Sequence, residues 1–313
     1  MTIAERINAE RIVLAGWGRA ILLQLAHPLV AQGVADHSSF SRQQGRASSN
    51  AERRTPNAEG DADTSTNAER RLRSVDAVPS LRAPGGRTLF SAAARLHHTV
   101  QAMRHLTFGD ASQSRAALDG ILAIHRRVHG TLVESVGPYP AGTPYSAEDA
   151  PLVLWVHATL MDSLPRVYEA VVKPIGNHER DEWCRESAPL ARALGSGDDV
   201  PESWAEVQAY MASMLAGGSI VVSPTARALA ADVLAPRFST LIAPWRALNR
   251  VVTVGLLPPE VRAQYGFAWS TADDVKLART LRGLRAMRQL MPDAIALWPD
   301  ARRARTSNCA RRP

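Results

Sequence analysis

Only two cysteines, Cys184 and Cys309, occur in the 313 residues. A disulfide framework and a C-x-x-C metal or redox site are therefore excluded, and the expected setting is reducing and cytoplasmic. The chain is long enough to bury a core without such staples, so stability alone demands no cofactor. Several catalytic signatures are missing as well. "HRRVH" sets two histidines at i, i+4 but lacks the glutamate of H-E-x-x-H that a zinc peptidase uses as base. No Glu stands three residues before a His, which removes the E-x-x-H pair of di-iron bundles. No His-x-Asp or His-x-Glu occurs, against the usual facial triad of non-haem iron. G-x-S-x-G, the P-loop and G-x-G-x-x-G are also absent.

The net charge of +7 raises the question of nucleic acid, and its location answers it. Residues 41–87 hold nine Arg against six acidic residues, and 301–313 hold five Arg and no acid. The remainder carries 23 basic and 24 acidic residues and is close to neutral. A nucleic-acid binder would show a basic face on a folded element or an aromatic platform, and neither is visible.

One long apolar run, "IVLAGWGRAILLQLAHPLVAQGVA" at 12–35, invites comparison with a membrane span. Arg19, Gln24, His27, Pro28 and Gln32 within it are expensive in lipid, so the expectation is a buried core helix and no integral span. The preceding "MTIAERINAE" is of mixed charge and unlike a secretory leader.

Past Phe40 the chain turns rich in Ser, Asn, Asp, Arg, Pro and Gly, and a segment of this kind cannot offset its ordering entropy by burial. Residues 41–86 are therefore expected to be a disordered insertion within one all-α domain spanning 1–304, with 305–313 a disordered basic tail. After the insertion the 3.6-residue period returns. Leu89, Ala92, Ala93, Leu96, Val100 and Met103 line one helix, and Leu118, Ile121, Leu122, His125 and Val128 line the next, which should stop at Gly130. Ser146 and Asp149 have capping-box spacing for a helix carrying "LVLWVHATLMDSL". Further helices are expected at about 178–194, 202–216, 224–234 and 271–290, with Ser223 and Pro224 as N-cap and N1 of the third. No strand is expected, because no alternating pattern stands out.

Several histidines sit on apolar helices: His27, His37, His98, His125 and His157. Each taken singly is more often a hydrogen-bonded core histidine than a ligand. Arg95, His98 and Thr99, however, lie at i, i+3 and i+4 and project from one helix face. A guanidinium and a hydroxyl can bind carboxylates while an imidazole beside them faces a metal, and a haem offers both, two propionates and one iron. The plainer alternative is an Arg on a helix rim with Thr in the core.

"LLQLAHPLVAQGVADHSSF", "LTFGD", "AIHRRVHG", "LVLWVHATLMDS", "TVGLLPPEVRAQYGF" and "MPDAIALWPDARRA" resemble, in this order, the MpaB-like family that includes the catalytic domain of rubber oxygenase, the latex clearing protein. The resemblance covers about 12–40 and 88–304. It implies an all-helical fold with a globin-like core and one b-type haem whose iron is bound by His125. It also implies that Arg95, His98 and Thr99 surround the haem as the candidate catalytic residues, with Arg95 and Thr99 also as cofactor contacts. His98 stands where the rubber oxygenase has lysine, and no clear counterpart of the family's proposed catalytic glutamate is found. A neutral imidazole at that lysine position is a potential sixth iron ligand; the alternative is a surface or outer-shell residue.

The function the resemblance implies is a haem b-dependent oxygenase acting with O₂ on a small apolar substrate, such as an isoprenoid-like alkene. Two other classes stay open at this point: a haem-binding or sensor protein without turnover, and a helical interaction protein without cofactor.

Overall fold

The computed structural model describes residues 1–37, 87–234 and 243–310, and their side chains except those of 87–97, 243–246 and 307–310. The expected insertion at 41–86 lies outside the described residues, as do 311–313. Fourteen α-helices and one two-stranded ribbon form the described part, so the fold is all-α.

The chain opens with α1 (Ile3–Ala9), whose N-cap Thr2 and Glu5 form a capping box, and a 3₁₀ turn (Arg11–Leu14). The apolar run that follows is not one helix. It divides into α2 (Ala15–Leu25) and α3 (Pro28–His37), bent by 108°. Proline lacks the N–H that would continue the ladder, but it suits the first position of a new helix. His27 completes the corner, because its Nδ1 accepts the N–H of Leu29 at 3.3 Å. That leaves Nε2 protonated, and it meets Tyr139 Oη at 3.1 Å. No single helix among the described residues is long and apolar enough to cross a membrane.

Next come α4 (Arg87–Phe108), α5 (Ala111–His125), strands β1 (His129–Thr131) and β2 (Pro144–Ser146), and α6 (Ala150–Val171). The rest is helical: α7 (Asn177–Ala193), α8 (Trp204–Ala216), α9 (Pro224–Leu234), α10 (Ala243–Gly255), α11 (Pro259–Gln264), α12 (Thr271–Leu290), α13 (Asp293–Ala296) and α14 (Pro299–Ala310). Residues 305–310, expected in a disordered tail, continue α14. Arg305 pairs with Asp293 at 2.7 Å, and Arg104 on α4 pairs with Asp300, which holds the start of that helix.

The core forms around α2, which packs on α6, α9 and α10. Glycine sets how close it comes. A Cβ at Gly16 would meet Val167 Cγ2 at 3.1 Å, and one at Gly18 would meet Thr253 Oγ1 at 2.3 Å. From the middle of this helix the buried Arg19 reaches Asp162 at 2.6 Å, Ser163 Oγ at 2.6 Å and the Leu256 carbonyl at 2.6 Å. Asp162 also accepts from Arg166 and Gln208, each at 2.8 Å. Burial pulls the Arg19 pKa down against the pull of Asp162. Burial pushes the Asp162 carboxyl up, but Arg19 and Arg166 more than offset this and hold it below the usual carboxylate range.

Burial also lowers the pKa of His27 and of His157 to about 4. Both are neutral in the fold at pH 7 and titrate near 6.5 when unfolded, so the unfolded chain binds more protons in between. Their stabilising contribution should be complete above about pH 6.5 and be lost as pH falls towards 4, roughly 3 kcal/mol for each. Urea midpoints measured across this range should fall steeply. His27→Asn, whose amide oxygen can still accept from Leu29, should remove about half of the slope, whereas an unchanged slope would assign the acid sensitivity to other groups.

Candidate functional site

Helices α4 and α5 make an antiparallel hairpin. Asp110 caps α5 through the Gln113 N–H at 2.9 Å, with Gln113 Oε1 returning to the Asp110 N–H at 3.1 Å. The turn admits little else, since a Cβ at Gly109 would lie 2.4 Å from the His105 carbonyl. The hairpin runs α4, which carries the sequence-predicted Arg95, His98 and Thr99, back alongside α5, the helix that ends in His125. The Arg95 side chain is outside the described set; His98 and Thr99 are exposed and each has contacts within the protein.

The apolar row of α5 packs less than its sequence predicts. None of its side chains is fully buried, and Ile124 is 60% exposed. His125, in the last turn, is half-buried. Its Nδ1 is enclosed without a hydrogen-bond partner. Burial lowers its pKa, opposed by Glu148, so the ring is neutral at pH 7 and keeps a lone pair on one nitrogen.

The helix stops at His125 rather than at Gly130, because the chain turns at once into a ribbon. Val128 N–H donates to the His125 carbonyl at 3.0 Å, and Ala147 N–H to the Val128 carbonyl at 2.8 Å. Strand β1 then pairs antiparallel with β2, Gly130 opposite Tyr145. Strands of three residues are too short to show alternation, and so the sequence hid them. Ser146 belongs to β2, and the N-cap of α6 is Asp149, whose carboxylate accepts the Ser146 N–H at 2.8 Å. The helix thus starts three residues later than the expected cap at Ser146, and its N-cap Asp149 makes no side-chain cap hydrogen bond into the helix.

Tyr145 fastens this ribbon to α3. Its ring lies between two glycines: a Cβ at Gly33 would come within 3.2 Å of it and one at Gly130 within 2.6 Å of its hydroxyl. The hydroxyl donates to Asp36 at 2.5 Å, and Asp36 accepts a second bond from Gln32 at 2.9 Å. Burial and then the Asp36 carboxylate raise the phenol pKa well above its usual range. His37 Nε2 reaches the His129 carbonyl at 3.1 Å. Thus "PLVAQGVADH" holds the strand that begins four residues after His125. Nothing in the local pattern announced Tyr145 or Asp36; the paired glycines were the available signal. Tyr145→Phe should leave Asp36 under-bonded and cost about 1–3 kcal/mol in denaturant unfolding, while a change below measurement error would show that the ring alone secures the ribbon.

The other histidines divide by environment. His27 and His37 serve the fold through the contacts above. His157 is 9% exposed and has an enclosed, unpartnered Nε2. Among the described residues no group of three or more His, Cys, Asp or Glu could hold a bare metal ion. A haem needs one protein nitrogen for its iron, and the neutral, unpaired imidazole of His125 fits that requirement. The acceptor that usually orients such a ring through its second nitrogen is not seen at His125.

A cavity of about 440 Å³ lies elsewhere, lined by Arg19, Asp162, Arg166, Gln208, Met211 and Glu260 among others. It includes none of the sequence-predicted site residues, and the polar groups at its floor already satisfy one another.

A family model described as "ER-bound oxygenase mpaB/B'/Rubber oxygenase, catalytic domain" matches residues 5–78 and 74–286. No curated protein and no solved structure matches the chain.

Proposed function

The chain belongs to the mpaB/rubber oxygenase catalytic-domain family, and from that premise we propose a haem b-dependent oxygenase acting on a small apolar alkene of isoprenoid-like character. The observation that supports the proposal is His125: a neutral imidazole with an enclosed, unpaired nitrogen, at the end of an apolar helix face that the other described residues leave partly uncovered.

In this proposal His125 supplies the iron ligand, and its neutrality preserves the lone pair this needs. Arg95 and Thr99 hold the propionates, the guanidinium by charge-assisted hydrogen bonds and the hydroxyl by a neutral one. Leu118, Ile121 and Leu122, half-buried on the same helix, keep water from the reacting face and give an alkene an apolar surface. The haem, when bound, supplies activation of O₂. The Tyr145–Asp36 fastening fixes the strand after His125 and thereby the direction of the imidazole. A reducing, cytoplasmic setting is part of the proposal and is compatible with the buried free thiol of Cys184.

His98 supports a second reading. An imidazole at the family's lysine position, one turn from Arg95, would be a second nitrogen able to bind the iron in competition with O₂, which describes a haem protein with little turnover. The two readings part in one experiment: O₂ uptake with candidate alkenes, together with the ferric spectrum of His98→Ala. Alkene-dependent uptake, and a high-spin ferric spectrum unchanged by the substitution, favour the oxygenase. A low-spin spectrum that becomes high-spin in the variant, with no uptake in the unmodified protein, favours the second reading.

A further inference from the structure

Helix α12 buries one side and leaves the other without a partner among the described residues. Leu284 packs with Val167, Val171 and Val252, and Leu281 leans on the same cluster. At 100° per residue, Val275, Lys276, Arg279, Arg282, Gly283, Ala286, Met287 and Leu290 fall on an opposing arc of about 140°, and all of them are exposed. This arc has three cations, three large apolar side chains and no carboxylate. Val275 is 49% exposed, Met287 43% and Leu290 86%; Ile295 on α13, just beyond, is 57% exposed.

The cations of α12 divide by direction. Those turned inward are engaged: Arg285 donates to the Glu169 carbonyl, and Arg288 pairs with Glu10 and Asp293. Lys276, Arg279 and Arg282 form no ion pair with any described residue, although Arg282 Nε donates to its own helix at the Ala278 carbonyl. Of the acids in the first turn, Asp274 accepts from the Trp269 indole N–H and Asp273 is used in the Ser270 cap, where Lys276 also acts on its carboxylate from nearby. Outside the two basic segments the chain is near neutral, so this face is a local concentration of positive charge rather than a share of a general excess.

We propose that the outer face of α12, continued by Ile295, is a docking surface for an anionic lipid bilayer. Lys276, Arg279 and Arg282 would meet lipid phosphates, while Met287, Leu290 and Ile295 at one end and Val275 at the other enter the acyl boundary. Nucleic acid would gain from the cations but not from Met287, Leu290 and Ile295, and an acidic protein face would leave those same side chains opposite charge. The bilayer is the partner that uses both halves of the pattern. A bilayer surface also accommodates a surface helix of twenty residues, about 30 Å long. The proposal stands apart from the haem assignment.

The test is co-sedimentation of the full chain with phosphatidylcholine vesicles, with and without phosphatidylglycerol, at low and high salt. The unmodified protein should bind the anionic vesicles, weakly bind the neutral ones, and be released by salt. The triple variant Lys276→Gln, Arg279→Gln, Arg282→Gln retains good helix formers and should lose roughly a hundredfold in partitioning. Leu290→Glu should lose several-fold with an unchanged melting temperature, because the residue makes almost no contact within the fold. The basic segments at 41–87 and 301–313 are intact in both variants. Undiminished binding by the triple variant would therefore assign lipid affinity to those segments and overturn the proposal. So would retention of an acidic polypeptide, but not of vesicles, by the unmodified chain.

Discussion

His125→Ala should purify with at most about a tenth of the haem carried by the unmodified protein, and with its helical circular dichroism intact. Iron in a b-type haem depends on its protein nitrogen for attachment, since the macrocycle is not covalently held. Removing the ring removes that attachment. The fold has little reason to respond, because His125 is half-buried in the last turn of α5, none of whose side chains is fully buried. Alanine is also the best helix former. Adding free imidazole to the variant should restore part of the haem spectrum, which a merely misfolded variant would not do. Full haem content in His125→Ala would transfer the ligand role elsewhere, with His157 the next candidate because it too has an enclosed unpaired nitrogen.

Asp162→Ala should destabilise the protein by about 3–5 kcal/mol, because it leaves a buried guanidinium without its counter-ion. Arg19 is 3% exposed and cannot turn to solvent. Ser163 and the Leu256 carbonyl would still accept from it, but neither neutralises its charge. A domain of this kind has roughly 5–15 kcal/mol in all, so much of the variant should unfold on mild heating. Arg19→Met should cost less, since Asp162 retains Arg166 and Gln208. The double variant Arg19→Met, Asp162→Leu should recover part of the loss, as apolar replacements of buried pairs often do. Urea unfolding of the unmodified protein and the three variants ranks these losses. Equal losses for Asp162→Ala and Arg19→Met would show that the packing of either chain, rather than the unpaired charge, sets the cost.

The helices that were legible in the sequence share a cause. In α7, α8, α9 and α12 an apolar stripe recurs at the helical period and ends at Gly or Pro, and the observed bounds lie within about two residues of those expected. Where another rule competed, the reading failed. The run at 12–35 has one continuous apolar pattern, yet Pro28 divides it at a sharp corner that His27 caps. In α10 the stretch "RVVTVG" is β-branched and has no helical signature of its own, but packing on α2 and α12 overrides that preference. The basic ending was judged by composition, whereas α14 is fixed by single long-range contacts such as Arg104 to Asp300. Composition does not reveal contacts of that kind.

The candidate site divides in the same way. His125 was legible because an imidazole breaks an apolar row inside a block resembling a known family. Its setting was not. Tyr145 and Asp36 are 109 residues apart, and their pairing depends on a ribbon of two three-residue strands. The exposed outer face of α12 could have been found by plotting its five basic residues around the helix, but only the structure separates the two that are engaged inward from the three that are not.

The central claim, that His125 marks a haem site, is most directly tested by the absorption spectrum of the purified protein, before and after addition of haem. A Soret band should appear, saturate at one haem per chain and be lost in His125→Ala. A protein that shows no Soret band as purified and takes up no haem on titration, while remaining folded, would contradict it.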